Sequence, residues 1–152
     1  MEYGNLSMKA TSSLYDRDTL LWVEDTVTKL RAKDFANLDL ENLIEEIETL
    51  GRSQKKELKS RLLVLLEHLL KRLYVDSSKD YHSWEITIRQ QRQQIELEID
   101  DSPSLKTIWN EAFDKVWQLA LKSVKQDYPK TYFPDRWQFS TDLEPMLNEK
   151  FW

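Results

Sequence analysis

Three carboxylates in the stretch "DLENLIEEIETLG", Glu41, Glu45 and Glu48, are spaced to share one face of a helix. Oxygen ligands of that kind suit a hard divalent cation, and a Mg or Mn ion held there could serve hydrolysis of a nucleotide or phosphate ester. Three carboxylates on one helix still need ligands from a second. The Glu-x-x-His pair of di-metal helical bundles is missing, because Glu67 and His68 are adjacent. On a continuous helix, His68 would stand about 30 Å from Glu48. The pairs Glu98 with Asp101 and Glu111 with Asp114 resemble the acidic motifs of all-helical nucleotide pyrophosphohydrolases, but such pairs arise readily in a chain with 27 acidic residues. The metal-dependent hydrolase is therefore the alternative, and a solvated acidic face is the main reading. No cofactor is expected and no catalytic residue is assigned.

The remaining inventory narrows the chemistry further. Without cysteine the chain has no thiolate nucleophile and no sulfur-ligated zinc site. Its two histidines, His68 and His82, accompany no Gly-x-Ser-x-Gly elbow, so a hydrolase triad has no support. After Gly51 the charge reverses: Arg52, Lys55, Lys56 and Lys59 form a basic strip that could meet phosphates. A net charge of −5 opposes a broad nucleic-acid surface. A helix-turn-helix pivoting on Gly51 would need a small residue in place of Ile47 and apolar ones in place of Glu57 and Ser60. Nucleic acid is thus an unfavoured partner, kept only as a weak second alternative through the strip at 52–61.

These residues have to be positioned by helices. The chain has 152 residues, 40% hydrophobic and 32% charged, with two glycines and four prolines, which suits one helical core and leaves few sites for tight β-turns. The pattern predicts an all-α bundle of four principal helices, about 16–33, 39–75, 83–100 and 103–128, plus a short helix at about 141–149. A flexible tail over 1–13 precedes a single domain over 14–152.

In the first helix Leu20, Val23, Val27 and Leu30 share a stripe, and Trp22 falls opposite, either packed on another segment or exposed as an anchor. In the second, Leu40, Leu43, Ile44 and Ile47 form a stripe that Leu58, Leu62, Leu65 and Leu69 continue in phase. A breaking turn would not keep that phase. One long helix with Gly51 on its buried stripe, close to a neighbouring helix, is preferred to a hairpin capped by the glycine. Ser83 is read as the cap of the third helix and Ser102 with Pro103 as the start of the fourth, whose arc includes Leu119. Thr141 and Glu144 are read as a capping box before the last helix. The aromatic tail should fold back, and Phe151 and Trp152 should dock on this chain or on a partner.

In order along the chain, "LYDRDTLLW", "LDLENLIEEIETLGRSQKKELKSRLLVLLEHLLK", "SWEITIRQQRQQI", "SPSL", the Phe133-Pro134 pair and the closing "FW" resemble the bacterial family known as domain of unknown function 29, abundant in cyanobacteria. The specific part is "LIEEIETLGRS" with "HLLK". The resemblance implies an all-helical, bacterial and cytoplasmic protein, and carries no activity or catalytic residue with it. The chain departs from the family pattern at "KDYHSW", which weakens any general role for His82.

The resulting expectation is a cytoplasmic module that acts by contact with a protein partner or with itself. It makes no use of a membrane. Its candidate contact residues are Trp22, Trp137, Phe151 and Trp152, with Arg52, Lys55, Lys56 and Lys59.

Overall fold

A computed structural model describes residues 13–152. The expected flexible tail over 1–13 lies almost wholly outside the described residues. Among those described there is no strand, and six α-helices follow one another. They are α1 (Leu14–Arg17), α2 (Thr19–Arg31), α3 (Leu40–Tyr74), α4 (Ser78–Asp101), α5 (Leu105–Asp127) and α6 (Leu143–Asn148), with a single 3-10 turn at Phe35–Asn37. The all-α class and the four long helices agree with the pattern of apolar residues. The chain forms two compact units, one up to Gly51 and the other Arg52–Trp152.

Several helix ends differ from the sequence reading. The first predicted helix is cut at Asp18, which leaves helical geometry with φ −155° and ψ 90°. Its carboxylate accepts the N–H of Leu21 at 3.0 Å, so Asp18 is the N-cap of α2, while Ser13 caps α1. Helix α4 begins five residues before the predicted Ser83, and the supposed loop "DSSKDYH" supplies its first turn. There the Asp80 N–H bonds the Ser77 carbonyl at 2.9 Å, and the Tyr81 hydroxyl donates to the Val75 carbonyl at 3.1 Å. Ser102 closes α4 instead of opening α5. The capping box at Thr141 and Glu144 does not form, and Asp142 occupies the N-cap position of α6.

Helix α3 is continuous through Gly51, as the unbroken phase of its stripe required. Asp39 begins it, accepting the Asn42 N–H at 3.4 Å. One detail of the reading is corrected. A Cβ built on Gly51 meets nothing within 4 Å, so the glycine faces open space and not a neighbouring helix.

In the unit Arg52–Trp152 the core is built largely from the expected stripes, with Phe113 and Val124 added. Leu58, Leu62, Leu65, Leu66, Leu69 and Leu70 of α3 are all 1% exposed or less. They join Trp84, Ile88, Ile95 and Ile99 of α4 and Trp109, Phe113, Val116 and Val124 of α5 in one cluster. Each such aliphatic side chain contributes about 1.5–3 kcal/mol by leaving water. Across this core the Arg61 guanidinium on α3 reaches Glu98 on α4. Leu119, expected inward, is exposed, because the apolar arc of α5 is wider than the surface that covers it.

Candidate interaction surface

The unit up to Gly51 inverts the predicted burial. On α2 the stripe Leu20, Val23, Val27 and Leu30 is exposed, Leu20 to 70% of its area, whereas Trp22 is 4% exposed and Thr26 is buried beside it. Trp22 therefore is not an open anchor in this unit. Its ring meets Tyr15 edge-on, with centroids 4.9 Å apart. The Tyr15 hydroxyl in turn donates to a Glu46 carboxylate oxygen on α3, and this bond, with the acidic surroundings, holds the phenol above its ordinary pKa. On α3 the predicted stripe is open as well. Leu40, Ile44 and Ile47 are exposed, and only Leu43 is half-buried. Among the described residues of this unit, little other chain is available to cover two apolar stripes.

The three carboxylates of the metal alternative lie beside this stripe. At 100° per residue, Glu41, Glu45 and Glu48 run along one side of Leu40, Ile44 and Ile47, and Glu46 points to the opposite side, where Tyr15 holds it. All three are exposed. Among the described residues no three His, Cys, Asp or Glu side chains come together as a metal-holding group. His68 is apart from any carboxylate arrangement of that kind. Its Nδ1 lies 2.8 Å from the Val64 carbonyl and its Nε2 3.5 Å from Lys71 Nζ, and burial holds its pKa below the usual value. His82 is exposed on α4.

In the unit Arg52–Trp152 the basic strip borders a groove. Between α3 and α5 a depression of about 330 Å³ has Leu63, Val116 and Leu119 in its lining and Lys56, Lys59 and Lys115 around them. Arg52 and Lys55 are exposed on the same helix. The remaining aromatic candidates are docked internally. Trp137 packs against Trp117 and Phe151 at 5.8 and 5.6 Å, Phe151 stacks near Phe139 at 4.5 Å, and Trp152 Nε1 donates to Glu85 at 2.9 Å. A second depression, about 510 Å³, lies along α4 beside the C-terminal segment, with His82, Arg89, Arg92 and Lys150 on its walls. Arg92 donates to the Glu149 carbonyl at 2.7 Å while its Nε is buried without a partner.

The family described as Domain of unknown function DUF29 matches residues 14–152. The chain belongs to that family. No curated protein and no solved structure matches it. Membership accounts for the resemblance of the long helix and the C-terminal motifs, and it assigns none of the residues above a role. Among the described residues no helix is long and apolar enough to cross a membrane.

The sequence reading thus selected Trp22 and the terminal aromatics as contact residues and overlooked the aliphatic side chains of α2 and early α3. A usable signal existed. Four apolar positions on α2 and three on α3 form stripes within a segment whose described residues supply no further long helix to cover them.

Proposed function

We propose that this member of the family works by contact with another protein and not by chemistry on a small molecule, in the bacterial cytoplasm that the family likeness implies. The observation that carries the reading is a pair of open apolar stripes in the first unit, Leu20, Val23 and Val27 on α2 and Leu40, Ile44 and Ile47 on α3. Large aliphatic side chains clustered in water mark a surface that another protein covers. The acidic flank beside the α3 stripe adds charge selection, which discriminates among partners and speeds encounter. The metal-dependent hydrolase has less support: Glu41, Glu45 and Glu48 are exposed on one helix, and among the described residues no three His, Cys, Asp or Glu side chains group as ligands. The basic strip at 52–61 borders a groove with an apolar lining, an arrangement better suited to a protein surface than to a phosphate backbone.

Photo-crosslinking in cells tests this. A diazirine side chain at Val27 or Ile47 should form adducts with protein, and one at Gln90 on the exposed side of α4 should not. Equal labelling at all three positions, or none at Val27 and Ile47, overturns the proposal.

A further inference from the structure

We infer that the depression along α4 binds a small phosphate monoester through Arg89, Arg92 and Lys150. The site lies wholly within the unit Arg52–Trp152 and does not rest on the contact reading, and it assigns a ligand without a reaction. A face of α4 forms one wall and the segment from Leu147 to Trp152 the other, around a volume of about 510 Å³. That is the size of a small-molecule site.

The charges along this wall stay unpaired where their spacing would pair them. Arg89 stands four residues after Glu85, and Glu96 four after Arg92, the spacing at which ion pairs form on a helix. Neither pair closes. Glu85 is engaged elsewhere: Trp152 Nε1 donates to one carboxylate oxygen at 2.9 Å, and Arg72 Nε lies 3.6 Å from the other. Arg92 turns to the C-terminal segment, where an Nη2 hydrogen bonds the Glu149 carbonyl at 2.7 Å and the Phe151 ring centre lies 5.6 Å from the guanidinium carbon. Among the described residues no carboxylate pairs with Arg89, Arg92 or Lys150.

Such a half-buried cation is costly without an anion, and a bound one recovers part of that cost. Burial holds the Arg92 guanidinium below its ordinary pKa, and its Nε is shut from solvent with no acceptor. The bond to Glu149 fixes this cation before any ligand arrives, so little ordering remains to be done on binding. Arg89 and Lys150, both exposed, bring charge from the two opposite walls. Three cations therefore face Glu96, the one lining carboxylate not already engaged, and two positive charges remain. A phosphate monoester carries close to that charge near neutral pH, and a monocarboxylate carries half of it. Ile86, Leu147 and the Trp152 ring offer the organic part of the ester an apolar surface.

Calorimetric titration of the full chain with phenyl phosphate tests the inference. One equivalent should bind with a dissociation constant of about 1 mM or tighter, weakened by salt, while benzoate binds at least about fivefold more weakly and phenol not at all. The indole N–H resonance of Trp152 should shift on binding. Arg89→Gln and Lys150→Gln, which alter exposed side chains, should each weaken binding about tenfold with thermal unfolding unchanged. Lys106→Gln, on α5 and outside the depression, should leave binding as it is. Absence of saturable binding, benzoate or phenol binding as tightly as phenyl phosphate, or affinity untouched by both Arg89→Gln and Lys150→Gln overturns the inference.

Discussion

Arg61 Nε on α3 donates to Glu98 Oε1 on α4 at 2.6 Å, and the same guanidinium reaches Glu57 at 2.8 Å one turn earlier on its own helix. One cation thus joins two long helices of the second unit. The two carboxylates feel it differently. Glu98 is pushed up by burial despite the bond from Arg61, while the exposed Glu57 is held down by its hydrogen bond to Arg61.

Removing that cation leaves Glu98 partly buried and uncompensated, with its second oxygen already lacking a partner. Arg61→Ala should lower stability by about 1–2 kcal/mol, solvent screening keeping the cost below that of a fully buried pair. Glu98→Gln should cost less, because the burial penalty of the carboxylate disappears with the charge, and Glu57→Gln should be nearly silent. Urea titrations of the three variants check the order.

The imidazole of His68 is kept neutral by burial, its Nδ1–H donating to the Val64 carbonyl. The folded pKa lies below the reference of 6.5, so in acid the unfolded chain takes up a proton that the folded one refuses. Stability from this group should be constant above about pH 6.5 and fall as pH drops through the lowered folded value. Glu67 acts in the opposite sense. Burial raises its carboxyl, so it costs stability at neutral pH and returns that cost as it protonates in acid. Comparing wild type with His68→Leu by denaturant midpoint between pH 5 and 8 should remove the decline just below pH 6.5.

Trp22 is the largest buried side chain of the first unit, and its indole N–H is buried without an acceptor. Trp22→Ala should cost about 3–5 kcal/mol, enough to open α1 and α2 while leaving the second unit folded. Trp22→Phe should cost well under half of that, since it fills most of the space and removes the unsatisfied donor. Hydrogen exchange at residues 14–31 against residues 84–124 is the measurement.

Gly51 sits inside α3 with no positive φ and with open space where a Cβ would go. Gly51→Ala should therefore raise helix stability by about 0.5–1 kcal/mol, because alanine loses less conformational freedom on folding. Thermal unfolding of the variant should shift upward. A downward shift would mean that something in solution occupies that space.

Long helices were legible because their cause is local. The leucines from Leu58 to Leu70 recur at helical spacing with strong propensity, and the same phase on both sides of Gly51 predicted the unbroken helix that is observed. Ends were less legible. Ser83, Ser102 and Thr141 each have the chemistry of a cap, but a cap forms only where the preceding backbone leaves the helix, and neighbours such as Tyr81 on Arg72, 4.0 Å from ring centre to guanidinium, extend α4 past the expected start.

Periodicity by itself determined that Leu20, Val23, Val27, Ile44 and Ile47 lie on stripes, since side-chain direction follows from position along a helix. Only the tertiary structure decided that these stripes stay in water while Trp22 and Thr26 are covered, and that Gly51 meets no neighbour. Burial depends on what the rest of the chain can bring to a face. Fewer than 40 described residues stand on the Gly51 side of the division, and they bury a tryptophan and little else.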